Sequence, residues 1–169
     1  KETGHIDQYS LGMGSTFLTP WLANPTVVGS KLFIPGYKFA STPVMNGMSS
    51  PDYGFGCFDM DARAACSTKF YKIGTAGQLQ TILSKGTSAI RTQPISAAAG
   101  LGTASNGLFY MTAIESAGAA PVVKAIDFSS GAPVVTSTAT MNTKSTMWME
   151  NITADGSKLF STDSGNGSL

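Results

Sequence analysis

One pattern recurs along the chain and restricts what it can fold into. A small or apolar run is followed by a tight turn holding Gly, then by a run carrying an aromatic residue. Trp21 to Val28 precedes Gly29-Ser30-Lys31-Leu32-Phe33-Ile34-Pro35. Pro94 to Gly100 precedes Asn106-Gly107-Leu108-Phe109-Tyr110-Met111-Thr112. Thr146 to Ala154 precedes Asp155-Gly156-Ser157-Lys158-Leu159-Phe160. Gly supplies the positive φ that a two-residue hairpin turn demands. Short runs between Gly, Pro, Asn and Ser turns are the mark of an all-β chain. Helical periodicity is nearly absent. The best candidate is Ala76 to Ser84, where Leu79, Ile82 and Leu83 share one helical face.

A second element follows the first two occurrences. Cys57-Phe58-Asp59-Met60-Asp61-Ala62-Arg63 aligns with Ala125-Ile126-Asp127-Phe128-Ser129-Ser130-Gly131. Each is an apolar pair, an Asp and a turn. The carboxylate of such an Asp accepts backbone N–H groups of the turn that follows. Fourth strands are then expected at Ser67 to Ile73 and Pro133 to Ala139. The unit has four strands, and the chain holds about two and a half units. Phe33, Tyr110 and Phe160 are unequally spaced, so the first unit carries insertions. The expected layout is a preceding element or N-terminal arm over 1–18, a first unit over 19–75 with a loop insertion at 36–53, and an insertion with a short helix at 76–93. A second unit over 94–140 and half a third over 141–169 complete it.

These residues resemble the blades of β-propellers of the pyrroloquinoline-quinone and WD40-like types. The second unit carries the likeness in Gly107, Tyr110, Ala125, Asp127, Ser130 and Gly131. The resemblance implies a partial β-propeller of about two and a half four-stranded antiparallel blades. A β-sandwich is the competing fold, because it also gives short strands at regular spacing. Blade faces must be covered. The partners implied are therefore further blades of a longer chain or other copies of this one.

The chemistry is sparse. Only 12% of residues are charged and the net charge is +1, which excludes nucleic-acid binding through a basic surface. No run of apolar residues is long enough for a transmembrane helix. Ser, Thr and Gly make up about a third of the chain and suit an extracellular or cell-surface location. The two cysteines, Cys57 and Cys66, suit one local disulfide stapling the turn between third and fourth strands. Unpaired thiols remain an alternative. A metal site is the weaker one, since the lone histidine, His5, is distant. The sequons at Asn151 and Asn166 are glycan acceptors in a secreted chain.

A Ser-His-Asp set would have to use His5, so no catalytic residue is assigned. Asp59 and Asp61 share one strand face and suggest weak calcium binding at most. The recurrence of Asp at 127 favours a turn role, with Gly29, Gly107, Gly131 and Gly156 as the other turn residues. The insertion at 36–53 carries Tyr37, Phe39, Met45, Met48 and Tyr53, and long loops on a β scaffold carry binding function. The expected function is an extracellular binding or structural module that displays loops to protein or carbohydrate, with no cofactor. One alternative is a secreted propeller enzyme, a hydrolase or quinone-type dehydrogenase, with its catalytic residues in further blades. Another is a self-assembling surface or filament subunit.

Overall fold

The computed structural model describes residues 8–18, 25–41, 48–76, 79–80, 82–83, 90–91, 95–98, 108–113, 115, 120, 122–140, 149–154 and 159–163. Among them the chain is all-β, with one 3-10 turn at Gly14–Thr16. The strands are β1 (Phe17–Leu18), β2 (Thr26–Val28), β3 (Lys31–Lys38), β4 (Met48–Ser49), β5 (Asp52–Asp59), β6 (Ala64–Thr75), β7 (Leu79–Gln80) and β8 (Ile82–Leu83). Then come β9 (Ile90–Arg91), β10 (Ile95–Ala98), β11 (Phe109–Ala113), β12 (Val122–Asp127), β13 (Val134–Thr140), β14 (Met149–Ala154) and β15 (Leu159–Asp163).

Two antiparallel sheets dominate, and neither closes on itself. In sheet 1, β3, β5 and β6 lie side by side, and both β1 and β2 pair with the outer edge of β3. β2 meets Lys31 to Phe33 and β1 meets Tyr37 and Lys38. Pro35, which has no N–H to give, stands in the gap between them. Sheet 2 runs β10-β11-β12-β13, each strand paired with its neighbour in sequence. β14 and β15 form a further hairpin, and β14 lies beside β10 and β11.

Alternation along the strands selects the buried faces. Pairing sets Phe33 beside Cys57, Pro35 beside Phe55 and Tyr37 beside Tyr53 on one face of sheet 1. All six are fully buried. This face packs on Phe109, Met111, Ala113, Ile126 and Phe128 of sheet 2 and its following turn. The seam is aromatic: Phe33 to Phe128 at 4.9 Å, Phe55 to Phe109 at 5.1 Å and Phe55 to Phe128 at 5.2 Å between centroids. Edge-on and tilted ring pairs of this kind add about 0.5–1.5 kcal/mol each beyond the area they bury. Val123 and Ala125, on the other face of β12, are also buried and lie outside that seam. β12 is therefore buried on both faces, whereas β13 beside it is exposed along its whole length.

Hairpin β5–β6 carries the disulfide Cys57–Cys66. It spans a wide bulge: Gly56 pairs with Phe70 and Phe58 with Ala65, so Cys57 alone stands opposite residues 66–69. A second bulge leaves Ile73 extra between Lys72 and Gly74. There the backbone of β6 crowds β5, and a Cβ on Gly54 would lie 1.9 Å from the Tyr71 carbonyl oxygen. Only glycine fits.

Two expectations are corrected. The segment 76–84 forms no helix where it is described: β7 pairs with β4 and β8 with β9. A nine-residue amphipathic stretch is too short to hold a helix without strong packing. The insertion at 36–53 is also narrower than read, because β3 continues to Lys38 and β5 begins at Asp52. What remains between those strands contributes β4, so the two expected insertions meet through the β4–β7 pairing.

Candidate functional site

The five aromatic and methionine positions expected to form a displayed surface do not do so together. Tyr37, Phe39 and Tyr53 are buried, at 0%, 4% and 0% exposure. Tyr37 and Tyr53 are core residues of sheet 1 and Phe39, just after β3, joins the same core, which corrects their reading as a binding tip. Their alternation with polar neighbours marks strand ends, which the Gly- and Pro-rich context disguises as loop. Met48 stands on β4 opposite Gln80, and Met45 lies outside the described residues.

The turn residues act on the backbone. Asp59 Oδ1 accepts the N–H groups of Asp61 and Ala62, both at 3.0 Å. Asp127 Oδ1 accepts the Ser129 N–H at 2.8 Å, and its Oδ2 accepts the Ser129 hydroxyl at 2.7 Å. These two bonds from Ser129 hold the Asp127 carboxyl below the usual carboxylate range. Gly29 and Gly131 take positive φ, 60° and 77°. Arg63, aligned with Gly131, takes φ 51°, a conformation that costs a residue with a Cβ about 1–2 kcal/mol. Gly107, Gly156 and Asn166 lie outside the described residues, and Asn151 lies on β14. Among the described residues no three His, Cys, Asp or Glu side chains gather to hold a metal ion. No described helix is long and apolar enough to cross a membrane.

Two places carry chemistry that the sequence did not flag. The first is a polar cluster between the sheets. The Tyr53 hydroxyl donates to Glu115 Oε1 at 2.7 Å, and Lys124 Nζ meets the same oxygen at 2.6 Å. Lys124 also donates to the Ile73 carbonyl at 3.4 Å and lies 5.4 Å from the Tyr53 ring centroid. Gly74 leaves the room: a Cβ there would fall 2.6 Å from both Glu115 Oε1 and the Tyr53 hydroxyl. Burial pushes the Tyr53 phenol far up, and the Glu115 bond and charge add to it. Burial would also raise Glu115, but hydrogen bonds from Lys124 and Tyr53, with the Lys124 charge, outweigh it and hold the carboxyl low. The cluster is a partly exposed ion pair in which Glu115 Oε1 is shared by the Tyr53 hydroxyl and Lys124.

The second is a cleft of ≈580 Å³ where residues 8–17 cross the outer face of sheet 1. Gly36, Gly54 and Gly56 flatten that face. A Cβ on Gly56 would crowd Leu11, Phe17 and Met13 at 3.0–3.1 Å. Phe17 packs edge-on against Phe70 at 5.9 Å and Tyr9 leans on Phe58 at 5.3 Å. The cleft is lined by Gln8, Tyr9, Ser10, Leu11, Met13, Gly14, Phe17 and Ile34. That lining holds no Asp, Glu, Lys, Arg or His. Tyr9 remains 46% exposed.

Comparisons with protein-family models, curated proteins and solved structures find no match to this chain.

Proposed function

We propose that this chain is an extracellular binding and structural module, a stretch of β-propeller whose work is recognition. The observation that carries the reading is the construction of sheet 2. It is a four-stranded meander of strands consecutive in sequence, packed through β11 and β12 on sheet 1 at one face, with Val123 and Ala125 of β12 buried at the other. A sandwich of Greek-key type would exchange strands between its sheets; a propeller stacks one local meander on the next. β14 beside β10 fits a third meander beginning where the second one began. The disulfide fits an oxidising compartment.

The recognition surface in this reading is the cleft beneath residues 8–17, in place of the expected loop tip. Its uncharged lining suits a neutral ligand. An exposed tyrosine ring beside amide and hydroxyl groups gives a saccharide a stacking face and hydrogen-bond partners. Titration calorimetry with neutral oligosaccharides tests this. Binding that weakens at least about tenfold in Tyr9→Ala supports the reading. Absence of binding to a broad neutral panel, or binding indifferent to Tyr9→Ala, overturns the assignment of the cleft.

A further inference from the structure

The outer strands of the two sheets occupy the same place in their meanders and are built in opposite ways. β6 ends sheet 1 and β13 ends sheet 2 among the described residues. A bare strand edge offers a row of N–H and C=O groups to any extended partner. β6 is guarded: it carries Lys69 and Lys72, two bulges and a disulfide tether. β13 has little such protection. Its sequence is Val134-Val135-Thr136-Ser137-Thr138-Ala139-Thr140, without charge or proline, and all seven residues are exposed. A single bulge at Thr136 leaves Ser137 to Thr140 in regular register with β12.

We propose that the edge of β13 pairs antiparallel with β13 of a second copy, joining sheet 2 of two chains into one continuous sheet. Self-pairing is more demanding than pairing with a foreign strand, because each side chain meets a residue of the same short segment. Any charge on β13 would face its own copy at close range, and like charges opposite one another are destabilising. β13 has none. Thr and Val opposite Thr, Ser and Ala form β-branched and hydroxyl pairs that a sheet accepts. A net charge of only +1 on the chain adds little long-range repulsion between copies.

Sedimentation equilibrium of the 169-residue chain, with Ser137→Lys beside it, tests the proposal. Ser137 is exposed opposite Ala125, so a lysine there leaves the fold intact and places two ammonium groups near each other in the dimer. Ser67→Lys on β6, also at an exposed position, controls for added charge. The expected result is a concentration-dependent dimer whose dissociation constant rises at least about tenfold in Ser137→Lys and is unchanged in Ser67→Lys. Ser137→Cys should cross-link to its copy through a short bismaleimide. The native cysteines are paired and stay silent. A chain that remains monomeric at about 0.1 mM, a dimer indifferent to Ser137→Lys, or a dimer that Ser137→Cys fails to cross-link overturns the proposal. None of these outcomes bears on saccharide binding at the cleft, so the two readings fail separately.

Discussion

Replacing Tyr53 with Phe isolates one hydrogen bond of the polar cluster between the two sheets. The Tyr53 ring is fully buried, and Phe keeps the ring while losing only the hydroxyl. That hydroxyl donates to Glu115 Oε1 at 2.7 Å. A hydrogen bond to a charged group contributes about 1.5–3 kcal/mol. The Glu115 side chain is 36% exposed and keeps Lys124 at 2.6 Å, so water and the lysine compensate in part. The expected loss is about 1–2 kcal/mol at pH 7. With a urea slope of about 2 kcal/mol per molar, the middle of the usual range, the midpoint falls by about 0.5–1 M. The pH dependence follows from the low-lying Glu115 carboxyl. Its stabilising contribution is fully present above the unfolded carboxylate value of about 4.3 and is lost as pH falls through the depressed folded value. The penalty for Tyr53→Phe should shrink over that same window, because a protonated Glu115 is a poorer acceptor. Urea unfolding of both proteins at pH 7 and below pH 4 measures the difference. Equal midpoints at pH 7, or the same loss at both pH values, would refute the role given to the hydroxyl.

Three further outcomes are expected. Gly54→Ala should cost at least about 3 kcal/mol, since its Cβ meets backbone 1.9 Å away, whereas Gly56→Ala meets only flexible side-chain ends and should cost about 1 kcal/mol; thermal melts that rank the two equally would contradict the close approach at Gly54. Arg63→Gly should stabilise by up to about 1 kcal/mol by relieving the φ of 51°, read from the shift in urea midpoint, and a destabilised variant would show that Arg63 has another role. Reduction of Cys57–Cys66, which closes a loop of sequence separation 9, should cost about 2–3 kcal/mol by chain entropy, measured by urea unfolding with and without reductant; an unchanged midpoint would mean that the bulge holds itself.

Strand positions were legible because turn chemistry is local. Gly29 with its positive φ, and the carboxylates of Asp59 and Asp127 on the amides after them, act within a few residues and leave a direct trace in sequence. The pairing of Cys57 with Cys66 was legible for the same reason. Burial was less so. Tyr37 and Tyr53 sit among Gly, Pro and Ser, a composition that reads as loop, yet they face each other across β3 and β5 and fill the seam. The glycines beside them serve close approach to β6 and to residues 11–17, which no local rule reveals. The Tyr53, Glu115 and Lys124 cluster was invisible because its members are separated by 62 and 9 residues and meet only once the sheets stack. The helix expected at 76–84 failed on the same point: a short apolar rhythm is compatible with either period, and pairing with β4 and β9 decided it.

The two meanders share what their turns need for folding and differ elsewhere. Both close their third and fourth strands with an Asp that accepts the amide two residues on, and both place a left-handed residue four positions after that Asp, Arg63 in one and Gly131 in the other. A residue that does the same backbone work in each copy is there for the turn, and a catalytic or calcium role for Asp59 would have to compete with the two amides already on its Oδ1. Function must then be sought where the copies differ. Among the described residues, sheet 1 and not sheet 2 has an outer face flattened by three glycines and crossed by residues 8–17, and an edge strand guarded by lysines, two bulges and a disulfide. Sheet 2 has Val123 and Ala125 buried on its outer face and an exposed edge strand of hydroxyl, alanine and valine side chains with no charge to repel a copy. The asymmetry supports the two proposals separately, a ligand at the first meander and assembly through the second, since each rests on side chains of one sheet and not the other.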